Sequence, residues 1–192
     1  MNKYSRMEAV IKEMINISGQ EIDDLTEYCS VKKISKNEIV SPVDYIPNDI
    51  FFINTGLLRV ILTDKEGNNH TIHFAMENQF IADYSCFIQQ IPSIYTIQAI
   101  EPTEVVVLPR KAVEWGYKNL TEGEKLGRII AEFYLIYKDN RIMNLYSRTP
   151  KERYDAIGEV FPNIHNRAPQ HMIASYLGIT PEHLSRLKKE KV

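Results

Sequence analysis

Residues 169–189 leave the chain little choice of local structure. They read Pro-Gln-His-Met-Ile-Ala-Ser-Tyr-Leu-Gly-Ile-Thr-Pro-Glu-His-Leu-Ser-Arg-Leu-Lys-Lys. Met172, Ile173, Tyr176 and Leu177 recur at helical spacing and give a first helix one apolar face. Gly178 follows, where a left-handed residue closes a helix without a Cβ clash. Thr180 suits an N-cap, Pro181 the first helical position, and Glu182 the positive end of the dipole. Leu184 and Leu187 then mark the inner face of a second helix, with Glu182, Ser185, Arg186 and Lys189 outward. Two short helices joined by a Gly-containing turn form a helix-turn-helix, whose second helix enters the major groove of DNA. Counting Gln170 as position one, apolar residues fall at four, eight, ten, fifteen and eighteen, with Ala174 at five and Gly178 at nine. All seven places that the motif constrains are filled as it requires. The outward face is basic and polar, which argues against a plain helical hairpin packed on its own domain.

The net charge of −2 hides a basic module. From Arg148 onward there are eight Lys/Arg against five Asp/Glu, and the remainder has fifteen against twenty. A positive C-terminal module on an acidic body is the distribution expected when only that module meets phosphate. Cys29 and Cys86 are the only cysteines of 192 residues, so no disulfide framework or Cys-rich metal site is offered. Two free thiols, no signal-peptide h-region and no apolar run near the ~20 residues of a membrane span predict a cytoplasmic protein with no membrane partner.

Taken from its start, the chain is helical over 5–29, with a break at Ser18-Gly19-Gln20-Glu21. From Val31 to about Leu108 short β-rich runs alternate with turns. The runs include Ile50–Ile53, Leu57–Thr63, His70–Met76, Tyr95–Ile100 and Val105–Leu108. Such spacing predicts an antiparallel barrel or jelly roll, a fold that commonly encloses a small ligand. A short helix over 110–117 leads into a long one that ends near Ser147. In it Leu126, Ile130, Phe133, Tyr137 and Asn140 follow a 4-3-4-3 spacing, the seam of a two-stranded coiled coil. Ile129, Ile136 and Met143 widen that face, so part of it must pack on the barrel. A homodimer is expected, because one helix-turn-helix reads too little DNA alone. Thr149-Pro150-Lys151-Glu152 restarts a helix that Pro162 ends. The fold class is therefore α+β: an N-terminal antiparallel jelly-roll barrel (1–119), a dimerisation helix (120–147) and a C-terminal helix-turn-helix domain (148–192).

In that order, these parts resemble the CRP/FNR family of bacterial transcription regulators over essentially the whole chain, and most closely its short members with no recognised effector. The family's phosphate-binding cassette runs Phe-x-Gly-Glu-Leu and, further on, Pro-Arg-x-x-Thr-x-x-Ala. Here the first part is Phe80-Ile81-Ala82-Asp83-Tyr84 and the second Pro92-Ser93-Ile94-Tyr95-Thr96-Ile97-Gln98-Ala99. Phe80, Pro92, Thr96 and Ala99 keep the framework. The chemistry departs: the Gly is Ala82, the Glu is Asp83, and the Arg that neutralises the phosphate is Ser93. No Lys or Arg lies between Lys65 and Arg110, and an anion in a desolvated pocket needs a charge-assisted partner. The barrel is thus not expected to bind cyclic AMP well. Any ligand it takes would lie against Ala82, Asp83, Tyr84, Ser93, Tyr95 and Thr96.

The family often reads bases with Arg-Glu-x-x-x-Arg, which becomes Pro181-Glu182-x-x-x-Arg186 here. Glu182 suits a cytosine amino group and Arg186 a guanine. Thr180, His183 and Ser185 are further base or phosphate candidates, and Lys188 and Lys189 suit phosphates. Because Pro181 replaces the first Arg, the family's binding sequence does not carry over. The chain stops at Val192, without the β-hairpin that usually follows in the family. His70, His73 and Glu77 suggest a cupin metal centre, but residues 70 and 73 on one strand face opposite sides. No catalytic array, metal site or cofactor is predicted. The expected partners are double-stranded DNA carrying an inverted repeat and a second copy of the chain. RNA polymerase and an unidentified small-molecule effector are partners of the same reading. The alternatives are a stand-alone ligand-binding barrel with a protein-interaction tail, and a cupin-like metalloprotein.

Overall fold

The structure, a computed structural model, describes residues 2–189. Glu190, Lys191 and Val192, the end of the predicted DNA-binding domain, lie outside the described residues. Two helices open the chain, α1 (Ser5–Met14) and α2 (Gly19–Thr26). The second starts on a capping box in which Ser18 and Glu21 satisfy each other's main-chain amides. Eight strands follow: β1 (Ser30–Ile34), β2 (Ile39–Ser41), β3 (Asp49–Thr55), β4 (Leu58–Thr63), β5 (Asn69–Ala75), β6 (Phe80–Ile81), β7 (Tyr95–Ala99) and β8 (Thr103–Pro109), with α3 (Tyr84–Gln89) between β6 and β7. They form two antiparallel four-stranded sheets, ordered β1-β8-β3-β6 and β2-β7-β4-β5.

Period-two alternation assigns each strand residue to a core. On β3, Phe51 and Ile53 face the other sheet and meet Leu58, Val60, Ile97 and Ala99. Ile50 and Phe52 face the opposite way, onto α1, α2 and α4 (Arg110–Asn119). Both faces of β3 are therefore buried, which is why Ile50–Ile53 reads as an unbroken apolar run.

The long helix α5 (Gly123–Ser147) crosses from the first core toward the C-terminal helices α6 (Pro150–Val160), α7 (Ile164–Arg167), α8 (Gln170–Leu177) and α9 (Pro181–Lys189). Tyr134 of α5 donates its hydroxyl proton to the carbonyl of Phe80 at 2.7 Å, which fixes the helix to the barrel. The predicted 4-3-4-3 seam does not face one way. Leu126 and Ile130 pack into the core beside α1 and α4, and Tyr137 packs among the C-terminal helices. The barrel already occupies that side of the helix and consumes half the stripe. Phe133 and Asn140 remain exposed, and Ile136 and Met143 are exposed with them.

The C-terminal helices are not separate from the barrel. Leu57, Phe74, Met76 and Ile100 form one apolar cluster with Tyr154, Ile157, Phe161, Met172 and Ile173. Phe161 lies edge-on to both Phe74 and Tyr176, with ring centroids at 5.6 and 5.3 Å. Truncating a buried Phe costs about 3–5 kcal/mol. Phe161→Ala should lower the urea midpoint of the barrel and the C-terminal helices together, as one transition. Two separate transitions in the wild-type chain would contradict this shared core.

Candidate functional site

The helix-turn-helix forms as the residue pattern predicts. Gly178 ends α8 with φ +68°, in the left-handed region. The main-chain amide of His183 donates to Thr180 Oγ1 at 3.2 Å, so Thr180 caps α9 with Pro181 as its first residue. Ala174 is fully buried where the helices cross, and Leu184 and Leu187 close the inner face. Glu182, Ser185, Arg186 and Lys189 fall on one outward face and are exposed, as is Thr180; His183 and Lys188 are half-buried. The amide at the helix start and the Thr180 hydroxyl hold the Glu182 carboxyl below its usual range, with Arg186 adding to the effect. The exposed face thus offers an acceptor and a donor one turn apart.

The barrel cassette is brought together and then closed by its own groups. Asp83 is buried and uses both carboxylate oxygens internally. Oδ1 accepts from the Cys86 amide at 3.3 Å and caps α3, and Oδ2 accepts from Ser93 Oγ at 2.7 Å. Ser93 Oγ also accepts from the Tyr95 amide at 2.9 Å. Ala82 is buried beside them, and Thr96 is half-buried on β7. Tyr84 leaves the group: it stacks on Tyr134 of α5 at 5.7 Å and belongs to the neighbouring core. Ser93, at the position of the arginine in the resembling cassette, thus bonds the Asp83 carboxylate. Arg59 on β4 does not compensate. It bonds Gln98 Oε1 at 2.8 Å, on the side of the sheet opposite Leu58 and Val60.

The remaining candidates resolve into ordinary roles. His70 is exposed and bonds Asp64 at 2.7 Å, while His73 faces inward, its proton affinity pushed down to about 3 by burial and then by Arg141 and Lys138. Burial and the nearby Asp83 push the Cys86 thiol up to about 11, the range of an inert thiol. Among the described residues no group of three His, Cys, Asp or Glu is placed to hold a metal, and no helix is long and apolar enough to cross a membrane.

The sequence reading misses the ionic tie between barrel and C-terminal helices. Arg167 of α7 grips Glu77 through two bonds of 2.9 Å and reaches Glu101 at 2.6 Å. Glu77 also accepts from the Gly56 amide at 2.9 Å. These residues are separated by 90 and 66 positions, so no local pattern announces them. Burial pushes the Glu77 carboxyl up, but Arg167 and the Gly56 amide outweigh it and hold it below the usual range. A lowered folded value means stability that is full above the unfolded pKa and lost as pH falls through the folded one. Arg167→Ala leaves two partly buried carboxylates facing each other and should cost about 1–3 kcal/mol in urea unfolding at pH 7. The gap to wild type should shrink as pH falls below the ordinary carboxylate range, through the lowered folded pKa of Glu77. A pH-independent difference would show that the tie adds nothing.

Residues 31–119 match the cyclic nucleotide-binding domain family. No curated protein sequence matches the chain. Among solved structures, the chain is similar to FixK2 from Bradyrhizobium japonicum, with 16% identity over 84% of this chain and 83% of that one and a TM-score of 0.72. A putative transcriptional regulator of the CRP/FNR family from Eubacterium rectale is 15% identical over 91% of this chain and 83% of its own, with a TM-score of 0.71. The c-di-GMP responsive global regulator CLP of Xanthomonas campestris is 12% identical over 90% and 91%, with a TM-score of 0.68. Residues 31–119 therefore match the cyclic nucleotide-binding domain, and along most of its length the chain has the fold seen in the CRP/FNR transcription regulators.

Proposed function

We propose that the protein is a homodimeric, sequence-specific DNA-binding transcription regulator whose barrel does not use cyclic AMP. The observation that carries this reading is α9, a capped helix presenting Glu182, Ser185, Arg186 and Lys189 on one exposed face. Arg186 is assigned to a guanine edge and Glu182 to a cytosine amino group; Lys188 and Lys189 are assigned to phosphates. Thr180, His183 and Ser185 flank them at the same surface. The division proposed for these roles is barrel 1–119, dimer helix 120–147 and DNA-binding domain 148–192.

Dimerisation is supported by the exposed face of α5. Phe133, Ile136 and Met143 are 55%, 59% and 53% exposed and recur at coiled-coil spacing with Asn140. So much exposed apolar surface on one helix marks an association face. Of the predicted seam, Phe133 and Asn140 remain for a partner helix, while Leu126, Ile130 and Tyr137 serve the chain itself. Pairing two copies would set their α9 helices about 34 Å apart, one turn of DNA. The neighbouring regulators of the same fold support the reading at the coarse level.

Selection of genomic fragments by the purified protein at about 150 mM salt should enrich an inverted repeat. Arg186→Ala should lose roughly 1–3 kcal/mol and relax one base position. Lys189→Ala should weaken all sequences alike and lower the salt slope by about one. Identical, sequence-independent losses in both variants would overturn the assignment of Arg186. For the barrel, calorimetry with cyclic AMP should give no micromolar binding, because Asp83 would face the phosphate with no cation beside it.

A further inference from the structure

A cavity of about 610 Å³ lies where α5, α6 and α8 meet β5, outside the barrel cassette. Its size falls in the range of small-molecule sites, roughly 300–1,000 Å³. Tyr137, Ile157, Val160, Phe161 and Leu177 supply apolar wall. Phe133, Ile136, Asn140 and Met143 of the proposed dimer face line its α5 side. Arg141, Arg148 and Arg153 supply charge, and among the described residues none of the three has a carboxylate within ion-pair distance.

The bonds of Arg141 and Arg153 go to main-chain carbonyls instead. Arg141 donates to Tyr176 O at 2.9 Å and Thr71 O at 3.3 Å, and stacks on the Tyr176 ring. Arg153 donates through Nε to Leu177 O at 2.9 Å, and through Nη1 to Leu145 O and Arg148 O. The Nη2 group of Arg153 donates to none of the described residues. Carbonyls orient the guanidiniums of Arg141 and Arg153 without cancelling their charge, so with Arg148 three like charges stand at one cavity. We propose that this cavity is a binding site for a small organic anion with an apolar body, its carboxylate or phosphate held by Arg141 and Arg153.

Three further observations fit that class of ligand. Burial, and then the nearby Arg141, lower the proton affinity of Arg153, as expected for neighbouring cations without a counter-charge. His73, also in the wall, is neutral at physiological pH and adds no further cation. His73 Nδ1 and Asn144 Oδ1 are buried without a hydrogen-bond partner at this same junction. Such orphaned atoms concentrate at functional sites. Glu159 lines the cavity too, but it is exposed and makes no ion pair with either arginine. A bidentate carboxylate or phosphate would meet both guanidiniums through charge-assisted bonds.

The site stands on the cavity and its arginines, not on DNA recognition, so its test contains no DNA. The full chain is titrated by calorimetry with phenyl phosphate, benzoate and neutral benzyl alcohol. At least one of the two anions should bind saturably, one per protomer, and benzyl alcohol at least about tenfold more weakly. Arg153→Met should weaken the anion about tenfold or more. That arginine also holds three carbonyls, so Val160→Trp provides the second variant. Val160 is exposed on α6, and the larger ring fills the cavity without touching the arginine bonds. It should also abolish anion binding while circular dichroism and sedimentation stay unchanged. No saturable heat from either anion up to about 10 mM would overturn the site, as would equal binding of benzyl alcohol or full binding by Val160→Trp. A protein that sediments as a dimer yet binds neither anion would assign the cavity to the second copy instead.

Discussion

Strand β5 is the last strand of its sheet, and its outer edge is closed by side chains rather than by another strand. The Thr71 amide donates to Ser175 Oγ of α8 at 2.8 Å, and the Thr71 carbonyl accepts from Arg141 of α5. An open edge is a site of unwanted pairing, and covering it with helices removes that hazard. Here the cover is the first helix of the helix-turn-helix. The barrel edge, the long helix and the C-terminal module thus meet at one residue of β5. Phe74 then packs against Phe161 and Tyr176 beside the same point, and Arg167 ties Glu77 and Glu101 at its far end.

The two barrel segments that resemble the family's cassette meet through their own polar groups. A carboxylate and a hydroxyl bonded at 2.7 Å join those segments directly. A buried carboxylate with two donors is satisfied as it stands, whereas a phosphate added beside it would meet like charge. The cassette therefore has a structural task here, joining the start of α3 to the loop before β7.

The parts legible in the sequence were those set by short-range chemistry. The turn at Gly178, the Thr180 cap, the capping boxes at Ser18 and Thr149, and the apolar runs of β3 and β4 each depend on residues within a few positions of one another. The strands β1, β2 and β6 and the helix α3 fell outside the named runs. The two-residue β6 is too short to show a period, and α3 is set by the Asp83 cap and a buried Cys86–Phe87 pair rather than by an amphipathic stripe. The α5 stripe is largely apolar along its length, but spacing alone does not divide it between residues the chain buries itself and residues it leaves exposed. Leu126 and Phe133 look alike in sequence, and only the position of α4 and the barrel decides that one is covered and the other exposed. The ionic tie at Arg167 and the arginine pair at the junction join residues far apart in the chain, beyond the reach of any local pattern.

Docking on the barrel and the proposed contact with DNA use different surfaces of the C-terminal module. Helix α8 faces β5, and α9 spends Leu184 and Leu187 on the module's own core, which leaves its opposite face exposed. Undocking is therefore not required to uncover α9. What the junction sets is direction. Arg153 alone binds carbonyls of Leu145 at the end of α5, of Arg148 in the link to α6, and of Leu177 at the end of α8. Together with the Arg141–Tyr176 bond, this side chain holds the angle between the long helix and the helix-turn-helix. In a dimer built on α5 that angle sets the distance between the two α9 helices, and half-site spacing tolerates little error. On the proposed reading, a change in what Arg153 binds would act on DNA recognition through that spacing, with the exposed face of α9 left unchanged.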